Sequence, residues 1–244
     1  MKKDYLSLLR EKMNEHTEIK PIAHIYNDYT SKFGIPRQSG LCKDVVSEIV
    51  FEKEYRNDDA LRGIEDFSHL WLIWHFSESV QDGFTPTVRP PRLGGNKRVG
   101  VFATRSPFRP NSLGLSCVRL EKVKKTEKSG TVLLVSGADI KNGTPIFDIK
   151  PYLAYADSIA DAKSGFADDV LGYGLKVDLP AELAEKIEPE KRNALFSILQ
   201  NDPRPSYHSS HYREYGFEFG GYEISFKADD DVIKVTDIKK IFNH

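Results

Sequence analysis

The stretch from Gly83 to Leu120 contains no acidic residue, although the whole chain is nearly neutral, with 35 basic and 36 acidic side chains. Its basic residues are Arg89, Arg92, Lys97, Arg98, Arg105, Arg109 and Arg119. Proline residues between them restrict the backbone, and glycine residues make it more flexible. Arginines on such loops can hold phosphates or carboxylates by paired hydrogen bonds. This basic block, residues 83–120, therefore predicts a surface that binds anions; the alternative is a solubilising surface loop.

Two carboxylates stand near a second turn. Asp139 precedes the turn at Asn142-Gly143, and Asp148 follows it. Carboxylates at the mouth of a loop, close to an arginine-rich loop, could hold a ribose, an amino group or a proton. The alternative is a surface ion pair, which contributes little to stability.

The common signatures of catalytic and cofactor loops are missing. The sequence has no GxGxxG dinucleotide loop, no Walker A loop and no HExxH helix. The segment from Gly114 to Val118 lacks the final glycine of a nucleophile elbow. His208 and His211 have no Cys or carboxylate partners nearby, so no metal site is predicted.

Length and composition limit the class of protein. A chain of 244 residues can form one large domain or two small ones. No apolar run is long enough to cross a bilayer, and no apolar signal-peptide core follows the first basic residues. The two cysteines, Cys42 and Cys117, form no CxxC motif, which argues against a disulfide framework. These features predict a cytoplasmic protein.

Short strands dominate the first two thirds of the chain. Hydrophobic alternation and β-branched residues predict strands over residues 19–25, 45–51, 69–76, 99–104, 114–123, 131–136 and 145–149. We expect Trp71 and Trp74 of the third strand to be core residues, the alternative being that they stack on a purine. Many short strands without alternating long helices predict a mainly β fold, an antiparallel barrel or a sandwich.

The pattern changes after about Tyr155. Residues 156–174 are predicted to be a linker, residues 180–187 and 189–200 helices, and residues 212–227 and 231–238 strands. Residues 1–16, with a short predicted helix, form an N-terminal extension. The predicted organisation is thus a β domain over residues 17–165 and a smaller α+β C-terminal domain over residues 166–244.

Several motifs together resemble one family. They are Val88-Arg-Pro-Pro-Arg-Leu-Gly-Gly-Asn96, Gly100-Val-Phe-Ala-Thr-Arg-Ser106, Phe108-Arg-Pro-Asn111, Gly143-Thr-Pro145 and Asp148-Ile-Lys-Pro-Tyr152. Shorter matches are Pro36-Arg-Gln38, Phe67-Ser-His-Leu-Trp71 and Asp202-Pro-Arg-Pro205. In this order they resemble the TrmO family, also called TsaA-like or YaeB-like, from about Ile19 to about Val235.

The resemblance implies an S-adenosylmethionine-dependent tRNA methyltransferase. Its substrate would be the exocyclic nitrogen of threonylcarbamoyladenosine, the modified base beside the anticodon, and its main partner the tRNA anticodon loop. The resemblance also implies a TsaA-like β-barrel instead of a Rossmann fold, and a homodimer with the cofactor near the subunit interface.

The same resemblance assigns candidate site residues by position. The cofactor-binding candidates are Pro36, Arg37, Gln38, Ser77, Glu78, Arg105, Leu115, Asp139, Ile140, Lys141 and Asn142. Ser77 and Glu78 stand where the family would have His-Gln. The chemistry of the acceptor, and not the family positions, suggests the catalytic candidates Arg109, Asn111 and Asp148. Arg105 or Arg109 would hold the threonyl carboxylate, Asn111 the carbamoyl group, and Asp139 or Asp148 would accept a proton.

Two other functions are compatible with the same residues. A non-catalytic RNA-binding module would use the basic block without binding S-adenosylmethionine. A methyltransferase acting on a small molecule would be active without tRNA. Binding of the cofactor would exclude the RNA-binding module, and dependence on tRNA would exclude the small-molecule methyltransferase.

Overall fold

The computed structural model describes residues 18–79, 84–90, 97–170, 174–204, 213–229 and 231–241. The predicted N-terminal helix, Arg92, His208 and His211 lie outside these ranges. In the described ranges the strands are β1 (Ala23–Tyr26), β2 (Val46–Phe51), β3 (His69–His75), β4 (Thr87–Val88), β5 (Val99–Gly100), β6 (Leu113–Thr126), β7 (Gly130–Ser136), β8 (Pro145–Pro151), β9 (Lys176–Asp178), β10 (Glu214–Phe219), β11 (Tyr222–Asp229) and β12 (Val232–Lys240). The α-helices are α1 (Ala154–Asp157), α2 (Ala181–Ala184) and α3 (Pro189–Gln200). The mainly β class is confirmed.

Six strands form a closed barrel in the order β1-β2-β7-β6-β3-β8. The closure comes from β8, which pairs with β3 on one side and with β1 on the other. All of these pairings are antiparallel. A closed sheet leaves no long unpaired edge.

Alternation in β3 sets the inside and the outside of the barrel. Leu70, Leu72 and Trp74 are buried, whereas the residues between them are half-buried. Trp74 is therefore a core residue as predicted. The prediction for Trp71 is wrong: its side chain lies on the outer face, where Nε1 donates to Asp157 Oδ2 at 3.1 Å. Successive side chains of a strand point to opposite faces, so two tryptophans three residues apart cannot both face the core.

A second sheet has the order β10-β11-β12-β9, with β9 parallel to β12. Helix α3 contributes buried side chains to the core beneath this sheet, Leu195 and Leu199 among them. Tyr29, Cys42 and Val45 from the N-terminal part of the chain also belong to that core. The proposed division at residue 165 stays a prediction, because the hydrophobic contacts do not separate at that point of the chain.

Several predicted elements differ from the observed ones. The strand predicted over residues 99–104 shortens to β5, and a 3-10 turn over Val101–Ala103 follows it. The stretch 212–227 contains a reversal at Gly220-Gly221, where both residues have positive φ, and so holds most of two strands. Strands β4 and β9 were not predicted, since two or three residues are too few for a periodic signal.

Among the described residues no helix combines the length and apolar character that crossing a membrane requires.

Candidate functional site

The closed barrel has an opening at one end, where β6 runs past the end of β7. From Arg119 onward β6 pairs with β7, but from Leu113 to Val118 its ladder partner is β3 alone. The loop at residues 36–40 lies along this free edge. Ser39 Oγ accepts from the Cys117 amide at 3.3 Å, and the Gly40 amide donates to the Gly137 carbonyl at 2.8 Å. The loop therefore covers the gap between β6 and the segment after β7.

Two predicted cofactor-binding residues meet at this edge. Arg105 Nη1 donates to Gln38 Oε1 at 2.6 Å, although the residues are 67 positions apart. The Arg105 side chain is exposed and that of Gln38 half-buried. A guanidinium uses only one of its five donors in such a bond, so the other donors of Arg105 could bind a ligand.

Asp139, another predicted cofactor residue, ends a chain of hydrogen bonds that starts inside the barrel. Trp74 Nε1 donates to Ser116 Oγ at 2.9 Å, and Ser116 Oγ donates to Asp139 Oδ1 at 2.5 Å. Gly114 leaves the space for the indole, since a Cβ on it would lie 2.3 Å from Trp74 Cε2. Core packing therefore fixes the orientation of the Asp139 carboxylate.

Burial raises the pKa of Asp139 above the ordinary aspartate value. The Ser116 hydrogen bond, backbone amides including that of Ser39, and the charge of Arg105 all act in the opposite direction without cancelling the effect. Desolvation penalises the charged form of a carboxyl group. Asp139 is thus better prepared to take up a proton than an exposed carboxylate would be.

Asp139→Asn is expected to raise the melting temperature at neutral pH. Because the folded-state pKa of Asp139 is raised, the native state binds more protons than the unfolded state above the unfolded pKa, so stability falls as pH rises through the folded value. The neutral amide removes that loss and still accepts from Ser116. Thermal melts from about pH 5 to 8 should show a gain that shrinks toward acid pH. Asp148→Asn is the exposed control, and a gain independent of pH would contradict this interpretation.

A second group of candidates lies where the turn that follows Asp139 meets the segment after β3. Glu78 forms an ion pair with Lys141, and Lys32 Nζ lies 3.6 Å from Glu78 Oε2. The hydrogen bond from Lys141 is the main reason that the pKa of Glu78 is lowered. The side chain of Asn142 accepts from the Asn27 amide at 3.0 Å. The Glu78–Lys141 pair attaches the segment after β3 to the turn before β8, and the Asn27–Asn142 bond attaches the same turn to the end of β1.

A third group lies on the outer face of the barrel. Ile73 of β3 pairs with Leu115 on one side and with Asp148 on the other. Directly paired residues of antiparallel strands share a face, so the three side chains are neighbours. Leu115 is 54% exposed, and Asp148 forms a 2.8 Å ion pair with Lys150. An exposed leucine beside a carboxylate provides both apolar and polar contact surface.

The remaining candidates point elsewhere. Arg37 Nη2 donates to the carbonyls of Asp202 and Arg204, both at 3.2 Å, and Pro36 is buried beside it. Arg109 Nη1 donates to the Thr104 carbonyl at 3.0 Å and the Ser106 carbonyl at 3.4 Å, within its own loop. Other candidates take no part in the three groups: Ser77 in the turn after β3, exposed Asn111 and buried Ile140. Their roles stay predictions.

Sequence reasoning missed three residues that organise the site. Ser116 orients Asp139, Ser39 anchors its loop to β6, and the Asn27 side chain donates to the Ile140 carbonyl at 2.9 Å. Their contacts span 23 to 113 residues of sequence. A small polar residue at an inward strand position is the only local signal, and only Ser116 shows it. In the described residues no group of three or more His, Cys, Asp or Glu side chains could hold a metal ion.

Known proteins match this chain over most of its length. The tRNA-methyltransferase O N-terminal domain matches residues 24–158, and the TrmO C-terminal domain matches residues 174–241. The chain is 42% identical over 196 residues to the tRNA (adenine(37)-N6)-methyltransferase of Escherichia coli K12, covering 78% of this chain and 83% of that protein. It is 35% identical over 229 residues to a putative S-adenosylmethionine-dependent methyltransferase, RcsF, of Pseudomonas aeruginosa, covering 90% and 96%.

The fold agrees with these sequence matches. It superimposes on the crystal structure of TrmO from P. aeruginosa with a TM-score of 0.75 and 30% identity, covering 93% of this chain and 98% of that one. The motifs that resemble the family are therefore part of a match that spans both halves of the chain, and the chain belongs to the tRNA-methyltransferase O (TrmO) family.

Proposed function

We propose that the protein is an S-adenosylmethionine-dependent methyltransferase that acts on adenosine 37 of tRNA, and that its acceptor is the exocyclic nitrogen of threonylcarbamoyladenosine. The E. coli relative is named a tRNA (adenine(37)-N6)-methyltransferase, and the P. aeruginosa relative is named an S-adenosylmethionine-dependent methyltransferase. The observation that carries the proposal is the meeting of Gln38, Arg105 and Asp139, from three distant segments, at the open edge of β6. The modified acceptor rests on the resemblance of the motifs.

The donors and acceptors at this opening fit the chemistry of the cofactor. S-adenosylmethionine combines a carboxylate, ribose hydroxyls, an adenine ring and a positively charged sulfur that carries the transferred methyl group. Arg105 supplies guanidinium donors, Gln38 an amide, Asp139 a carboxylate and Leu115 an exposed apolar side chain. We propose these four as its binding residues, with Glu78 and the segment 140–142 at the side of the site.

Proton removal is the chemical task left to the protein. The acceptor nitrogen belongs to a urea-like group and loses a proton as the new N–C bond forms. Asp139 is the better candidate acceptor, because burial raises its pKa and Ser116 fixes its orientation. Asp148 is more accessible, but its carboxylate is engaged in an ion pair with Lys150. Arg109 and Asn111 are proposed to meet the threonylcarbamoyl group.

The target base has to leave the anticodon-loop stack to reach such a site, which an unpaired nucleotide does at low cost. We also propose that the protein acts in the cytoplasm as a homodimer. The homodimer follows from the resemblance, the cytoplasmic location follows from the composition, and light scattering of the purified chain measures the oligomeric state.

Two measurements test the proposed function. Calorimetry with S-adenosylmethionine should show saturable binding, which a simple RNA-binding module would lack. Mass spectrometry of tRNA nucleosides from a deletion strain, before and after addition of protein and cofactor, should show conversion of threonylcarbamoyladenosine to its methylated form. Methylation of a small molecule without tRNA, or of unmodified adenosine alone, would contradict the assigned substrate.

A further inference from the structure

Two phenylalanine rings are stacked on the surface next to the site. Phe84 and Phe102 have ring centroids 6.2 Å apart and an angle of 25° between the ring planes. Phe102 is 73% exposed and Phe84 54% exposed. Burying such rings is worth considerable free energy, so two large apolar side chains held side by side in water indicate a surface that contacts another molecule.

The local backbone holds this pair in place. β4 and β5 pair at Thr87↔Gly100 and Val88↔Val99, and the Val101 amide donates to the Pro86 carbonyl at 3.0 Å. Val101 itself is buried and anchors the 3-10 turn that carries Phe102. The rings therefore sit on a braced hairpin base, which lowers the entropy cost of binding.

The surroundings of the pair are cationic. Both rings belong to the basic block of residues 83–120, which has no acidic side chain. Lys97 and Arg98 are exposed on the same hairpin, and Arg98 Nη1 reaches Thr87 Oγ1 at 3.4 Å. Exposed aromatic rings among basic side chains are the combination that single-stranded nucleic acids bind, with bases on the rings and phosphates on the cations.

The pair is also close to the proposed reaction site. Phe102 precedes Arg105 by three residues, which span at most about 11 Å of backbone. A nucleotide next to the target base would therefore be within reach of the rings while the target occupies the opening at Gln38 and Arg105. Charge favours a polyanionic nucleic acid on this surface over a second copy of this chain, whose net charge is only −1.

We propose that Phe84 and Phe102 form a stacking platform for an unpaired base of the tRNA anticodon loop that neighbours the methylated nucleotide, with Lys97 and Arg98 contacting its phosphates. This inference rests on the proposed function and adds a binding contact to it. The two rings contribute apolar stacking, which depends little on salt, whereas contacts to phosphates depend strongly on salt.

The test compares variants in binding to a fluorescent anticodon stem-loop RNA over a series of salt concentrations. Phe102→Ala should weaken binding about five- to a hundredfold at every salt concentration, leaving the slope of log affinity against log salt unchanged. Phe102→Trp should retain the affinity. Arg98→Ala should instead reduce the slope by roughly one. Ile159→Ala is the matched control, since Ile159 is 67% exposed but lies outside the basic block.

The outcomes separate this inference from the proposed function. Unchanged RNA affinity in both Phe102→Ala and Phe84→Ala, with an active wild-type protein, would overturn the platform alone. A wild-type protein that neither binds S-adenosylmethionine nor methylates tRNA would overturn the function itself. Light scattering decides the alternative occupant: if Phe102→Ala dissociates a dimer and leaves RNA affinity intact, the rings bind a second copy and the proposal is wrong.

Discussion

Arg105→Ala is expected to weaken S-adenosylmethionine binding by about ten- to a hundredfold, because a hydrogen bond from a charged group is worth roughly 1.5–3 kcal/mol. The substitution removes the 2.6 Å contact with Gln38 and the positive charge that acts on Asp139. Calorimetry with the cofactor measures the loss directly, and steady-state kinetics on modified tRNA should show a raised apparent cofactor constant.

Arg119→Ala is the matched control for that substitution. Arg119 belongs to the same basic block but only forms a 3.5 Å ion pair with Glu121, with 65% and 37% of the two side chains exposed. Such surface pairs contribute less than about 1 kcal/mol, so cofactor binding should not change. Arg109→Ala should lower activity on tRNA while sparing cofactor binding, since Arg109 is proposed to meet the threonylcarbamoyl group and not the cofactor. If cofactor binding and activity on tRNA stay near wild type in both Arg105→Ala and Arg109→Ala, the loop that carries these two arginines is not part of the active site.

Gly114→Ala should cost about 1–3 kcal/mol of stability, or roughly 2–12 °C in melting temperature for a chain of this size. The new methyl group would lie 2.3 Å from Trp74 Cε2, and the indole is 5% exposed in the barrel core. Either the indole or the β6 backbone must move. Movement of the indole would also break its bond to Ser116 and release the Asp139 carboxylate, so cofactor binding should fall together with stability.

Gly100→Ala provides the comparison for Gly114→Ala. A Cβ on Gly100 would meet nothing within 4 Å, and its φ of −58° suits any residue. Removing a glycine at such a position usually stabilises by up to about 1 kcal/mol through the unfolded state. Thermal melts and calorimetry on both variants separate a steric effect from the general effect of losing glycine. Equal melting temperatures for the two would contradict the packing argument for Trp74.

Some elements of the fold could be predicted from short stretches of sequence. The alternation in residues 69–76 predicts strand β3 and the burial of Trp74, and Asn142-Gly143 predicts a turn that Gly143 makes with φ of 80°. Pro189 at the first turn and the apolar spacing behind it predict helix α3. These features depend on backbone preferences and periodicity within a few residues, so no distant contact is needed to read them.

The candidate site depends on contacts that no short stretch contains. The motifs named Gln38, Arg105 and Asp139 as candidates, but not that Arg105 bonds Gln38 or that Trp74 acts on Asp139 through Ser116. The same motifs placed Arg37 beside Gln38, whereas its guanidinium binds carbonyls about 165 residues away. Neighbouring positions of a loop can serve different parts of the molecule, and composition does not reveal which.

The sequence by itself determined the mainly β class and the cationic character of residues 83–120, because these follow from residue types and local periodicity. The candidate cofactor residues followed instead from the resemblance of its motifs to the family. Only the tertiary structure decided that β6 runs past β7, that Asp139 is half-buried there and that Leu115 and Asp148 share the outer face with Ile73. The physical reason is strand register. A shift of one residue would move every side chain of a strand to the opposite face, and register is fixed by the closure of the whole barrel.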